Sequence, residues 1–314
     1  MNSVLIFGKI PPPTGGVTKS VENILNALKD RHIHAILFSF TTLFSLCKYD
    51  IAHIHYLKRW KILVALFLGK IFAKKNILTY HGSDFHPDTK RLDQYIYRLL
   101  DGIVVLNELV LKRCKQLDAT KVVLLTPIFQ EGLTNRNSQL VSYFKKEKDT
   151  KYILLYASRK DFFNNMEVYG CHFVFSLLDI LSEHYTLVFL DPNECYKDDI
   201  KNINMKKIIY IDKPVDFANL LLSVDIYIRP TSRDGNSIAI LEALSVNIPV
   251  LASDVVDRGT GVETYKHNDS KDFINKINTI LTASKTTNKR QLSSIHTFEK
   301  FCDQLLKKDA VCVA

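Results

Sequence analysis

Glycine is scarce in this chain. Its 314 residues include only 11 glycines, about half the usual share. A glycine this scarce is informative where it falls in a loop, because there it lets the backbone turn tightly or admit something close. Long apolar runs are also missing. The longest, Ile62 to Phe72, is broken by Gly69 and Lys70 and is too short to span a bilayer. Met1 to Phe7 offers no basic stretch ahead of an apolar core, so it reads as a strand rather than a secretory leader. The six cysteines, at 47, 114, 171, 195, 302 and 312, contain no CxxC pair and no regular spacing. That argues against a zinc cluster or a disulfide framework, and for reduced structural thiols in a cytoplasmic protein. Internal repeats and low-complexity tracts do not stand out. With 46% apolar and 24% charged residues the chain belongs with globular rather than disordered proteins. Acidic residues are short in one half only. Residues 1–150 hold 22 Lys and Arg against 12 Asp and Glu, while residues 151–314 hold 20 against 21. The basic half is expected to face something anionic.

What is present is a regular alternation. Short β-branched runs (Val4–Phe7, Ala35–Phe40, Ile51–His55, Ile77–Tyr80, Ile103–Leu106, Val122–Leu125) are separated by helical patterns such as Val17–Lys29, Arg59–Ala73 and Glu108–Leu117. A charged stretch, Tyr143–Lys151, reads as a solvated linker. A second series follows, with strands at Ile153–Ala157, Thr186–Leu190, Ile208–Ile211, Ile226–Ile228 and Val250–Ala252. Helices are expected at Val168–Glu183, Asp216–Ser223, Ser237–Ser245, Lys271–Leu281 and Ser294–Lys307. Strands alternating with helices predict parallel sheets covered on both faces. The expectation is an α/β protein of two doubly wound, Rossmann-like domains, with ligands bound beyond the carboxyl ends of the strands. Gly8, Gly15, Gly16, Gly82 and Gly235 all lie in or beside loops that follow an expected strand.

Four segments carry possible chemistry. Gly8–Val17 holds three prolines and then Gly15-Gly16 before a helix. It is neither a P-loop nor a GxGxxG fingerprint, and it is either an anion-binding helix entrance or a plain strand-to-helix turn. His81-Gly82 follows a strand and either faces a cleft or lies in solvent. His53 and His55 alternate on one strand; without a Cys or carboxylate at suitable spacing they read as a packed or hydrogen-bonded pair, not a metal site. Arg159, beyond the first strand of the second series, is either a phosphate ligand or a surface arginine. The most informative segment is Asp225–Leu244. There a strand ends at Arg229, a turn holds Asp234-Gly235, and a helix near Ser237 is apolar apart from Glu242. A carboxylate in so apolar a helix needs a partner, and a ligand hydroxyl pair would serve; a helix cap with a structural Glu is the plainer alternative.

At this point the chain resembles the retaining glycosyltransferases of family four. The carriers are the E-x7-E-like pair Asp234 and Glu242, the following Asn247-Ile248-Pro249-Val250-Leu251-Ala252-Ser253, the Gly15-Gly16-Val17 loop, Tyr80-His81-Gly82 and Arg159. The resemblance implies the GT-B fold, two Rossmann-like domains facing a central cleft. Residues 1–148 would bind the acceptor and 149–293 the nucleotide-sugar, and the closing helix in 294–314 would cross back to the first domain. It further implies that Glu242 bonds the ribose hydroxyls and that Asp234 contacts sugar hydroxyls. Backbone N–H groups at Asn236, Ser237 and Ile238 would hold the diphosphate, which Gly15 and Gly16 approach from the other domain. Arg159 would neutralise the leaving phosphate, and His81 would lie near the anomeric carbon. No metal or other cofactor is implied. Two departures stand out: the first acid is Asp rather than Glu, and the Lys usual after the arginine is replaced by Asn164 and Asn165.

The resulting expectation is a retaining, metal-independent transferase in cell-surface polysaccharide or lipopolysaccharide synthesis. Its donor would be a UDP-sugar first and a GDP-sugar second, and its acceptor a glycan or a lipid-linked glycan. The enzyme would be cytoplasmic, peripheral at the inner face of the plasma membrane. The alternatives are a catalytically weak partner subunit that binds a glycan or another transferase, and a nucleotide-sugar epimerase. In the basic half, Lys58–Lys75 combines cations, Trp60 and an apolar centre. That centre reads as a buried crossover helix, with its flanking lysines available to an anionic membrane surface. No motif supports nucleic-acid binding.

Overall fold

The computed structural model describes residues 1–12, 15–39, 41–42, 48–82, 84–127, 144, 149–201, 203, 207–282 and 294–311. The chain divides into two compact units, residues 1–129 with 292–314, and residues 130–291. The first unit is built on strands β1 (Ser3–Phe7), β2 (His34–Leu37), β3 (Tyr49–Ile54), β4 (Ala73–Tyr80), β5 (Gly102–Val105) and β6 (Val122–Leu124). All pairs are parallel, in the order β2-β1-β3-β4-β5-β6. Helices α1 (Gly16–Lys29), α2 (Arg59–Phe72), α3 (Arg91–Leu99) and α4 (Glu108–Asp118) connect the strands.

Burial on both faces explains why these strands read as near-continuous apolar runs. Leu5 and Phe7 of β1 share one core with residues of α2, α3 and α4. Val4 and Ile6 point the other way, into a core shared with α1 and with Phe298, Phe301, Cys302 and Leu305. Those last four belong to the final helix, written α10 below (Ser294–Val311). Arg31–Glu299 and the chain's amino group with Asp303 add ion pairs to the same contact.

The second unit repeats the plan with β7 (Lys151–Tyr156), β10 (Tyr185–Leu190), β11 (Ile208–Ile211), β12 (Ile226–Arg229), β13 (Val250–Ser253) and β14 (Glu263–Tyr265), ordered β11-β10-β7-β12-β13-β14 and parallel throughout. Helices α5 (Cys171–Phe175) and α9 (Ser270–Thr282) cover one face. Helices α7 (Phe217–Leu221) and α8 (Ile238–Ser245) cover the other, and α6 (Lys197–Ile200) lies after β10. The α/β class, with two doubly wound parallel sheets, is the one the alternation predicts.

Several elements differ from expectation. The helix expected over 168–183 shortens to α5, with turns continuing to residue 180, and ahead of it β8 (Phe162–Phe163) and β9 (Met166–Glu167) form an antiparallel hairpin that was not expected. Gly170 stands before α5 at φ 67, in the left-handed region, with the carbonyl of Pro230 where a Cβ would be, so the helix cannot start earlier. Helices α3 and α6 and strand β14 were not expected; α6 and β14 are only four and three residues long, whereas α3 is amphipathic and buries Asp93, Ile96 and Tyr97. The centre of α2 is only half buried: Ile62, Ala65, Leu66 and Gly69 are inside, and Trp60, Val64, Phe67 and Ile71 are exposed. Of the expected linker, residues 143 and 145–148 lie outside the described residues, as do Pro13, Thr14, Ser83, Cys47 and Cys312. Cys114, Cys171 and Cys302 are buried, Cys195 is half-buried, and all four are free. No described helix is long and apolar enough to cross a membrane.

Candidate functional site

Strand order decides where each unit can hold a ligand. In the second unit the chain leaves β7 in one direction, through β10 and β11, and leaves β12 in the other, through β13. The crevice between β7 and β12 is thus a topological switch point, the usual ligand position in such sheets. The loops that leave these two strands contain Arg159, and Asp234 to Ile238, respectively. In the first unit the switch lies between β1 and β3, and the Gly8–Gly16 loop follows β1.

At the second switch point a buried charge cluster lies beneath the start of α8. Arg229, the last residue of β12, donates from Nε and Nη2 to Asp234 at 3.0 and 3.2 Å. Arg258, beyond β13, donates from Nη1 to the same carboxylate at 2.7 Å. Thr231 Oγ1 and the backbone N–H of Gly235 also donate to Asp234. Arg258 is fixed in turn by the Ser253 carbonyl, Ser253 Oγ and Thr231 Oγ1. Burial by itself would raise the Asp234 carboxyl. The Arg229 and Arg258 guanidiniums more than reverse that and hold it far below the usual carboxylate range. Two cations against one anion leave the cluster positive.

The cluster lies where α8 begins. Ser237 precedes the helix with an extended backbone and no side-chain cap, and there is no acidic residue in the first turn. The first N–H groups of a helix have no intrahelical acceptor, and the helix dipole adds partial positive charge there. Asn236 and Ser237 are half-buried and Ile238 is buried. Glu242 is half-buried one turn further along, between the fully buried Leu241 and Ala243. Fixed positive charge, oriented amides and a carboxylate behind them form a chemical setting for a phosphate ester with hydroxyls attached.

The end of β7 is arranged differently. Arg159 is 64% exposed and paired to Asp161 at 3.1 Å. Lys160 turns to both oxygens of Asp199 at 2.8 and 2.9 Å. Asn164 and Asn165 are the two turn residues of the β8–β9 hairpin, at φ 49 and 60, as a two-residue hairpin turn with both central residues left-handed requires. The position where the resembling family carries its lysine is thus spent on a turn. The Arg233 guanidinium lies 4.3 Å from the Phe163 ring centre, which ties the hairpin to the Asp234 loop.

In the first unit, Gly15 caps α1 with an extended backbone. A Cβ on Gly16 would meet nothing within 4 Å, and one on Gly15 only Thr18 Oγ1 at 3.8 Å. The unit itself therefore does not demand glycine at either position. Gly8 and Gly82 differ: a Cβ there would press on Val21 and on Asp84, each at 2.8 Å. His81, at the end of β4, is linked through Nε2 to His55 Nδ1 at 3.0 Å, and His53 Nε2 meets Thr79 Oγ1 at 2.7 Å. The strand histidines are therefore hydrogen-bonded. Burial depresses all three: His53 to about 3, His81 to about 4 and His55 well below its ordinary value.

Arg159 and the residues 234–242 thus share one switch point, and Gly15, Gly16 and His81 lie at the carboxyl end of the first sheet. Sequence reasoning missed Arg258. It sits 24 residues after its partner, outside any local motif, and only its place beyond the adjacent strand marks it.

Comparison with known proteins supports the fold. The sequence matches no family model and no curated protein. Among solved structures, sucrose-phosphate synthase from Thermosynechococcus elongatus is similar at a TM-score of 0.71 and 13% identity, over 100% of both chains. The catalytic domain of starch synthase IV from Arabidopsis thaliana, bound to ADP and acarbose, follows at 0.63 and 11%, covering 98% of this chain and 99% of that one. WaaG, a glycosyltransferase involved in lipopolysaccharide biosynthesis, is similar at 0.60 and 12%, covering 97% and 94%. At these identities the likeness defines architecture: the chain has the GT-B glycosyltransferase fold over its full length.

Proposed function

We propose that the chain is a retaining glycosyltransferase that moves a sugar from a nucleoside-diphosphate donor to a glycan or lipid-linked acceptor. The observation that carries this reading is the net-positive Arg229–Asp234–Arg258 cluster at the uncapped start of α8, with Glu242 behind it. The diphosphate would accept hydrogen bonds from the N–H groups of Asn236, Ser237 and Ile238. Glu242 would accept hydrogen bonds from the ribose hydroxyls. Five donors already address Asp234, so its part is to fix Arg229 and Arg258; any contact with the sugar shares oxygens already engaged. Arg159 would release Asp161 to meet the charge that builds on the leaving phosphate. The bond from the anomeric carbon to phosphate breaks, and one to the acceptor oxygen forms on the same face. The leaving phosphate takes the acceptor proton, so the scheme needs no metal or other cofactor. The first unit's share is Gly15, Gly16 and His81. Neutral at pH 7, His81 would bond to hydroxyls rather than repel a cationic centre. The proposed donor is a UDP-sugar, with a GDP-sugar second. The proposed setting is cell-surface polysaccharide or lipopolysaccharide synthesis, cytoplasmic and peripheral at the inner face of the plasma membrane.

A second reading has its own support. With Asn164 and Asn165 in a turn and Lys160 held by Asp199, the cations around a leaving phosphate are fewer than the resembling family supplies. A catalytically weak partner subunit would tolerate that loss. Thermal melting with UDP, GDP, ADP and CMP separates the two. A transferase should gain stability from one of them, about 2.7 kcal/mol at a hundredfold excess over Kd, and Glu242→Ala should abolish the gain. Indifference to all four would sink the transferase reading.

A further inference from the structure

We propose that α2 and α3 of the first unit form a docking surface for an anionic phospholipid bilayer. Trp60, Val64, Phe67 and Ile71 are 62, 51, 68 and 55% exposed. At 100° per residue they fall within an arc of about 60° on α2. The opposite side of the helix, Ile62, Ala65, Leu66 and Gly69, is the one packed on the sheet. A single exposed apolar residue needs no explanation, but a continuous stripe of four large ones marks an interaction surface.

Charge identifies the occupant. Residues 51–83 contain no Asp or Glu. Lys61 and Lys70 fall about 90° to either side of the stripe, and Lys58 precedes the helix. Long ammonium side chains in those positions can lay their stems along the apolar face and reach outward to phosphate headgroups. Helix α3 is tied to α2 by the Arg59–Asp93 pair at 2.9 Å. It exposes Leu92 and Tyr95, with Arg91 and Arg98 also at the surface. Trp and Tyr at the edge of an apolar face suit the headgroup level of a bilayer. With 14 residues, α2 is about 21 Å long, right for lying in the interface and too short for crossing. This surface belongs to the first unit and the α8 site to the second, and the proposal does not depend on the chemistry proposed there.

The test uses the full-length chain and its single tryptophan, which lies on the proposed surface. Vesicles of phosphatidylcholine, with or without phosphatidylglycerol, are titrated in while Trp emission and co-sedimentation are followed. The expected result is a blue shift and binding with the anionic vesicles, weak binding to neutral ones, and a loss of roughly tenfold between low and high salt. Phe67→Glu should lower partitioning at least about tenfold with an unchanged melting curve, since Phe67 is 68% exposed. Lys61→Glu with Lys70→Glu should act chiefly at low salt. An unshifted emission with anionic vesicles would overturn the proposal, as would full binding by Phe67→Glu. Sedimentation equilibrium that finds a dimer dissolved by Phe67→Glu, without vesicle binding, would assign the face to a second copy and overturn it too.

Discussion

Asp234 holds one negative charge between two buried guanidiniums, so its removal should be felt in stability before it is felt in chemistry. Asp234→Ala leaves Arg229 and Arg258 facing each other with little water to screen them, and roughly 3–5 kcal/mol of stability should be lost in urea titrations. The pH dependence has a definite sign. The folded carboxyl is depressed, so the contribution is complete above the ordinary carboxylate value near 3.8 and is lost as pH falls below it. The difference between wild type and variant should therefore shrink in acid. Arg159 predicts the opposite pattern. It is exposed, and its pair with Asp161 is a surface ion pair worth little. Arg159→Ala should leave stability within about 0.5 kcal/mol and lower turnover at least about tenfold if it meets the leaving phosphate; a near-normal rate would remove it from the mechanism. At this scale the sequence treats Gly8, Gly15, Gly16 and Gly82 alike. Structure separates them, because Val21 and Asp84 crowd Gly8 and Gly82 while the space beside Gly16 is open. Gly16→Ala should thus keep or slightly raise stability and weaken nucleotide binding.

At the scale of elements, strands β3 and β4 and the residue after each gather His53, His55 and His81: His55 bonds His81, while His53 bonds Thr79 and packs its ring on His55 and on Phe298 of α10. Each is more easily protonated unfolded than folded. Stability should therefore be full above about pH 6.5 and fall as pH drops toward 4 and 3, where His81 and His53 titrate in the fold. Each histidine that stays neutral adds a slope of about 1.4 kcal/mol per pH unit across that window. His81 keeps partial solvent contact, and its shift is smaller than that of His53. Urea midpoints from pH 7 to 5 should fall less steeply in His53→Phe than in wild type. Elements marked by an amphipathic repeat, as α1 is, or by an apolar run between turn residues, as α8 and the central strands are, were legible from sequence within a few residues. The 162–183 segment was not: a helical repeat over 168–183 hides where the helix stops, and the short hairpin at 162–167 carries too few residues to show a period. The deciding facts, Asn164 and Asn165 at positive φ and Gly170 against the Pro230 carbonyl, are backbone properties that apolar spacing does not report. The exposed stripe of α2 escaped for a related reason: an all-apolar helix gives no hint of which side the sheet takes.

At the scale of the whole molecule, the two units differ in how the chain closes them. Residues 130–291 form the second unit from one continuous stretch, whereas the first needs α10 from the far end of the chain. Phe298, Phe301, Cys302 and Leu305 of α10 are at most 6% exposed, and the Gly102 backbone of β5 lies against Phe301 and Leu305. Burying a side chain of that size contributes about 1.5–3 kcal/mol, so losing the three largest removes a large part of the 5–15 kcal/mol typical of a domain. A fragment of residues 1–129 should therefore fail to melt cooperatively by circular dichroism, and adding residues 292–314 through a linker should restore the transition. A fragment of residues 130–291 should fold alone, since its sheet and both helical layers are complete within it. If the α8 site is the donor site, that fragment should also gain stability from the same nucleotide as the full chain, and Glu242→Ala should cancel the gain in both. A cooperative 1–129 fragment would mean that α10 is an accessory rather than part of the core. A 130–291 fragment that folds but ignores the nucleotide would show that donor binding draws on residues outside the second unit, with Gly15, Gly16 and His81 the first to substitute.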